Sequence, residues 1–462
     1  MFPKEVYIKR RKALKAQICS GIALFLGNSL VPFNYPANPY SFRQDSSFLY
    51  FFGIDEPDMA AIIDFDTGDE ILFGQEVDID DIIWSGQRKS LHEQANEVGI
   101  SKALPFNKLK EFIDRALEKG RKIHFLPPYR SQTKYQLSNL LGLKYEAVNK
   151  YVSVELIKAV VKLRSVKDEY EIAEIERMVD VAYQMHTTAM RMAKPGILER
   201  EIAGTIEGIS LSNGGPVSFP VIVTVHGEIL HNNFYGNKLK KGDLLLVDAG
   251  AESSLHYASD ITRVSPVGGK FDQRQRDIYQ IVLEANMRAI EDIKPGKPYI
   301  ETHYLAAKII AQGLKDLGLM RANVDEAVQA GAHALFFPHG LGHMLGLDVH
   351  DMEGLGEDYV GYDDKYKRIQ KFGIGFLRLA KPLQPGYVLT VEPGIYFIPE
   401  LINQWQAAGK FKDFINYDKV EKFKDFGGIR IEDDVLITET GAKVLGKPIP
   451  KAIDDVEAIV NQ

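Results

Sequence analysis

A single cysteine, Cys19, in 462 residues excludes an intrachain disulfide framework and a thiolate-built zinc site, and it fits a reducing, cytoplasmic setting. Basic charge is also short. A formal net charge of -7 argues against a nucleic-acid binder, whose contact face would be basic. No apolar run approaches the length of a transmembrane helix, so no membrane partner is expected. No Pro-rich or low-complexity stretch marks a linker. There is no G-x-S-x-G, and "HGLGH" is too short and follows no βα pattern, so neither a serine nucleophile nor a nucleotide loop is expected.

What is present is a chain with a 45% hydrophobic share, ample for a core, and a length that suits one large domain or two to three ordinary ones. "KRRKALKAQICSGIALFLGNS" puts a basic stretch before a short apolar run, as a secretory leader does. Lys12 and Lys15, however, interleave with apolar positions as on an amphipathic helix. Gly21 then ends the helix, and "IALFLG" reads as a buried strand. Up to about residue 160 strands and helices alternate, with a hairpin around Asp66-Thr67-Gly68-Asp69. "SVKDEYEIAEIERMVDVAYQMHTTAMRMAKPG" predicts a long helix capped by Ser165 and Asp168. Its apolar face is Ile172, Ile175, Met178, Ala182 and Met185, and Pro195-Gly196 stops it. The boundary is placed before this helix, giving domains 1–160 and 161–462.

The second domain echoes itself. "MAKPGILEREIAGTIEG" and "DIKPGKPYIETHYLAAK" share a helix end, a Lys-Pro-Gly stop and a new helix. "GDLLLVDAG" and "GYVLTVEPG" each run an apolar strand into a carboxylate followed by x-Gly. Two such copies point to two halves related by a pseudo-two-fold, with Asp248 and Glu392 facing each other near the axis. Asp260, in "YASDITRVSPV", starts a strand that would pair with the one ending at Asp248. In "GGIRIEDDVLIT" Ile429 and Ile431 point one way and Arg430 and Glu432 the other. Four acids beside buried strands repel and lose hydration unless Arg, Lys or metal ions compensate them.

"HALFFPHGLGHMLGLDVHD" crowds four of the chain's eleven histidines into an apolar stretch. Gly340 and Gly342 argue against a helix. On an extended strand His339 and His343 share a face, so one can ligate metal while the other meets substrate. A turn at Gly346 would return His350 to the site, while His333 caps or packs. The ligand set is then Asp248, Asp260, His343, Glu392 and Glu432. Five mostly carboxylate side chains suit two divalent ions better than one, with Mn, Co, Fe and Zn all compatible.

In this order, "VDAG…SDITR", "HGLGHMLGLDVHD", "LTVEPGIYF" and "GGIRIEDDVLIT" resemble the proline-specific metallopeptidases of the pita-bread fold, X-Pro aminopeptidase (aminopeptidase P) and X-Pro dipeptidase (prolidase). "FRQDSSFLYFFGIDEPD" and "IIWSGQR" resemble that family's N-terminal domain, so the likeness spans nearly the whole chain. It implies an α+β protein: a pita-bread catalytic domain of duplicated ααββ halves with a curved antiparallel sheet, preceded by a smaller α/β domain. It implies a dinuclear site, commonly Mn2+, and cleavage of the bond before proline in peptides. It implies that His339 and His350 contact substrate, that Glu392 is both ligand and proton acceptor, and that His231 lies near the substrate amine. Arg430 matches an arginine beside the last ligand, and Trp84 an aromatic that in some members reaches a neighbouring subunit's site, as in a homodimer or homotetramer. Arg378 stands where prolidases place an arginine for the substrate carboxylate. The spacing of Asp248 and Asp260 is one residue longer than usual, which falls in "AESSLHY" and reads as a longer hairpin tip. Between the two activities, the N-terminal motif favours the aminopeptidase. The five ligand positions argue against a non-catalytic binding module and a metal-free relative such as creatinase. The large N-terminal domain argues against methionine aminopeptidase.

Overall fold

The computed structural model describes residues Met1–Gln462, apart from the side chain of Ser85. The chain forms two compact units, Met1–Arg164 with Glu353–Tyr359, and Ser165–Met352 with Val360–Gln462.

The first unit carries helices α1 (Lys4–Lys15), α2 (Ser46–Phe52), α3 (Ile79–Ser85), α4 (Leu91–Glu97), α5 (Lys108–Glu118), α6 (Ser131–Leu141) and α7 (Val154–Ser165). Strands β1 (Ile22–Leu26), β2 (Ala60–Asp64), β3 (Glu70–Gly74), β4 (Lys102–Pro105) and β5 (Ile123–His124) form one mixed sheet in the order β4-β3-β2-β1-β5. The predicted hairpin is β2–β3, and every residue of β1 is buried. The basic N-terminal stretch forms α1 and turns Arg11 fully inward. Its guanidinium bonds the Glu70 carboxylate and the carbonyls of Phe51 and Val98, which compensates the burial of its charge.

The second unit begins with α8 (Glu169–Met192), α9 (Glu199–Ser212), β6 (Ile222–Thr224), β7 (Leu244–Ala249) and β8 (Ile261–Pro266). It continues with α10 (Gln273–Asp292), α11 (Tyr299–Asp316), β9 (Val388–Val391), β10 (Gly394–Tyr396), β11 (Gly428–Arg430), β12 (Asp433–Ile437) and β13 (Ala442–Val444). The sequence echo is a backbone echo. Gly196 N–H donates to Leu239 O and Leu239 N–H to Ile197 O; Gly296 N–H donates to Leu383 O and Leu383 N–H to Lys297 O. Gly242 and Gly386, three residues after those leucines, both sit in the left-handed region, at φ 94° and 86°, where glycine is favoured. The sheets are antiparallel throughout: β6-β7-β8, β13-β12-β9 and β10-β11.

Three local expectations change. Helix α8 is capped by Asp168 with Glu171, not by Ser165 with Asp168. Ser165 instead closes α7, and the Asp168–Glu171 box satisfies the same orphan N–H groups three residues on. The stretch 428–437 is not one strand but two, β11 and β12, which pair with β10 and β9. Pro393 interrupts the partner and offers no N–H at the break. The segment around His339 and His343 is not a regular strand. It runs beside β9, with Glu392 N–H on Leu341 O, Thr390 N–H on His343 O and Leu345 N–H on Val388 O. A Cβ at Gly342 would stand 2.0 Å from Thr390 O, so glycine there permits the close approach.

Candidate metal centre

Strand register brings the four acids together. In the β7–β8 ladder Asp248 pairs with Thr262 and Ala249 with Ile261. The same register continues to a Glu252–Ala258 bridge, so the longer tip lies in the turn and Asp260 does not slip. Asp260 is two residues from Thr262 and therefore shares the face of Asp248. On the other side, Asp433 pairs with Val391 and Gly394 with Arg430. Both ladders keep one register, so Glu392 stands opposite Glu432 in the gap between them. Like charges directly opposite are destabilising, and the ladder is broken where they meet.

His343 completes the set. Its Nδ1 lies 3.0 Å from Met344 O, which makes Nδ1 the protonated nitrogen and leaves the Nε2 lone pair facing Asp260 Oδ2 at 3.4 Å and Glu392 Oε1 at 3.6 Å. A lone pair aimed at two carboxylate oxygens is an arrangement for a cation, with the backbone carbonyl fixing the ring as outer partners of metal-bound histidines do. Donor atoms of Asp260, His343 and Glu432 all lie within 4.8 Å of one another. Asp248 Oδ1 is buried without a hydrogen-bond partner among the described residues. Its Oδ2 accepts from Arg430 Nη2 at 2.5 Å.

The electrostatics agree. Burial, then the neighbouring Asp248, pushes the Asp260 carboxyl well above the usual carboxylate range. Burial, with Asp260 and Glu392 close by, does the same to Glu432. Burial pushes Glu392 up to about 7, against the lowering effect of His343 and Arg430. One buried guanidinium, Arg430, does not neutralise four acids. A hard donor set of four carboxylates and one imidazole fits divalent cations.

The five donors line a cavity of about 600 Å³ together with His231, His339, His350, Arg378 and Arg430. Phe372 and Phe376, both exposed, lie at its rim. His350 stacks edge-on to His343, with ring centroids 4.3 Å apart. His339 has both nitrogens engaged, Nδ1 at 2.7 Å from Gly340 O and Nε2 at 2.9 Å from the Tyr396 hydroxyl. Nδ1 donates to the carbonyl, and burial pushes the ring's pKa down to about 3, which favours the neutral form. Arg430 Nη1 donates to the Tyr396 hydroxyl at 2.8 Å and Nε to Thr262 Oγ1 at 3.0 Å, so Arg430 braces the acids from within the protein. Trp84 lies on α3 in the first unit and is 86% exposed. His333 is buried against the His303 ring and does not line the cavity.

Three contributors escape the sequence reading. Tyr396 links Arg430 to His339. Thr262 donates to Glu432 Oε2 at 2.6 Å, and Thr390 holds the His343 N–H at 3.1 Å. Each threonine sits two residues from a candidate ligand, Asp260 or Glu392, on the same strand face, so the period-two rule could have found both.

The model of metallopeptidase family M24 matches residues 173–439, and that of the aminopeptidase P N-terminal domain matches residues 7–124. The Xaa-Pro aminopeptidase of Escherichia coli (strain K12) is 30% identical over 99% of this chain and 98% of its own. The human Xaa-Pro dipeptidase is 31% identical over 90% of this chain and 84% of its own. Among solved structures, proline aminopeptidase P II from Yersinia pestis superposes with a TM-score of 0.83 at 29% identity, covering 100% of both chains. Aminopeptidase P from E. coli with the inhibitor Pro-Leu gives 0.81 at 30% identity, covering 100% of this chain and 98% of its own.

Proposed function

The chain belongs to metallopeptidase family M24, and from that premise we propose that it is an X-Pro aminopeptidase, hydrolysing the bond between an N-terminal residue and a penultimate proline. The observation that supports this is the convergence of Asp248, Asp260, His343, Glu392 and Glu432 on one cavity whose walls carry His231, His339 and His350. We assign the five donors to two divalent ions, Mn2+ first, with Co2+, Zn2+ and Fe2+ as substitutes. Such ions supply Lewis acidity toward the scissile carbonyl and acidify a water.

The chain's own residues do the rest. Glu392 accepts the proton of the attacking water and returns it to the departing proline nitrogen. His350 donates to the carbonyl oxygen as its charge develops. His231 meets the substrate amine. His339, locked through Tyr396 to Arg430, offers its ring as a wall. We place the N-terminal domain at residues 1–160 and the catalytic one at 161–462; the compact units divide a few residues later, between Arg164 and Ser165, with Glu353–Tyr359 counted in the first. The exposure of Trp84 fits a homodimer or homotetramer in which it reaches a neighbour's site, and a cytoplasmic setting fits the single cysteine.

A second reading, the X-Pro dipeptidase, is favoured by Arg378, a cation that lines the cavity and suits a substrate carboxylate. The deciding experiment compares kcat/KM on an X-Pro dipeptide and an X-Pro-Y-Z tetrapeptide, with Mn2+ and with chelator. Cleavage of the tetrapeptide, lost on chelation, is expected. Cleavage of the dipeptide alone would make the protein a dipeptidase. If both peptides are cleaved, an Arg378 that reads the terminal carboxylate makes Arg378→Ala weaken dipeptide turnover far more than tetrapeptide turnover, and equal effects would make it structural.

A further inference from the structure

Lys167 and Asp351 meet at 2.9 Å, with each side chain only 1% exposed. A buried pair adds little net stability over an apolar replacement, so its use is better sought in what it fixes. Lys167 N–H donates to Gly386 O at 2.8 Å, at the start of the segment that ends at Glu392. Asp351 N–H donates to Met344 O at 2.8 Å, beside His343, and Asp351 Oδ1 accepts from Asp348 N–H at 3.4 Å. Gly346 lies so close that a Cβ there would stand 2.7 Å from Asp351 Oδ2 and 3.0 Å from Lys167 Cε. Its carbonyl accepts from Ala258 N–H at 2.9 Å, on the hairpin that carries Asp260. The loop from Met344 to Asp351 is thus wrapped around one ammonium–carboxylate contact. His350 is the residue next to that contact.

We infer that Lys167 and Asp351 are positioning residues for His350: their ion pair sets the loop that holds this imidazole over the substrate's carbonyl oxygen. The inference rests on the role given to His350 above. The two fail in different ways in one experiment, a cycle of Lys167→Met and His350→Ala, with kcat, KM and bound metal measured on each variant. His350→Ala is expected to lower kcat with metal content near normal. Lys167→Met is expected to lower kcat about tenfold or more with KM and metal little changed, yet by less than about twofold when His350 is already alanine. Since Lys167→Met strands a buried carboxylate, the cycle is repeated with Lys167→Met plus Asp351→Leu, which is expected to recover thermal stability but not kcat. Recovery of kcat in that double variant, or an undiminished effect of Lys167→Met in the His350→Ala background, would reduce the pair to a structural contact. Normal turnover by His350→Ala alone would overturn the histidine's role, and the inference with it.

Discussion

Glu432 and Asp433 are neighbours in sequence and both are buried, at 2% and 3% exposed, yet the fold treats them in opposite ways. Successive residues of an extended chain face opposite sides. On the far face, Asp433 accepts from Arg263 Nη2 and from Lys451 Nζ, each at 2.6 Å. Burial works to raise its carboxyl, but those two cations hold it well below the usual range. On the cavity face, Glu432 has the Thr262 hydroxyl and looks onto Asp260, Glu392 and Asp248, and its carboxyl is pushed up. The acid turned away from the cavity is buried with two of the chain's own cations. The acid turned toward the cavity is left with a deficit of positive charge, which suits the metal ligation proposed for it.

The contrast predicts which property each face controls. Glu392→Ala should lower kcat by at least about 10²–10⁴-fold, the usual worth of a positioned acid–base group, while the metal-free protein melts no lower than the parent. Retained turnover would remove Glu392 from the mechanism. Asp433→Ala should do the reverse. It strands Arg263 and Lys451, costing about 3–5 kcal/mol, with turnover per folded molecule little changed. Urea denaturation beside activity assays on both variants checks this. An Asp433→Ala protein as stable as the parent would erase the distinction between the two faces.

Much of this was legible beforehand because it follows from short-range periodicity. The echo of "GDLLLVDAG" in "GYVLTVEPG" announced the duplication, and alternation in "GGIRIEDD" put Arg430 and Glu432 on one side. The failures lie where long-range partners decide. No local signal says that the strand changes partner at Ile431 and Glu432, because the cause is Pro393, far away in sequence and opposite in space. The His339 nitrogens are taken up by Gly340 O and the Tyr396 hydroxyl, and the tyrosine, 57 residues away, leaves no local signal of that partnership. Lys167 reads as an unremarkable residue before a helix. Its importance comes from a partner 184 residues away.

The smallest expected effect separates the faces by pH. A carboxyl whose folded pKa lies above its unfolded value of about 4 binds more protons when folded. Its contribution is therefore complete below about pH 4 and is lost as pH rises through the folded value. For Glu392 that value is about 7, so the metal-free protein should lose on the order of 1–3 kcal/mol between about pH 5 and about pH 8. Asp433, held low, contributes in the other direction: its share is present above about pH 4 and is lost as pH falls below it. Urea midpoints across pH, with chelator, should then show two limbs around a maximum near about pH 5. Excess Mn2+ should abolish the alkaline limb, since cations bind the ionised acids and the folded state alone presents them together. Glu392→Gln should shrink that same limb, and Asp433→Asn only the acidic one. An alkaline limb that survives saturating metal would mean that the buried acids of the cavity are not its ligands.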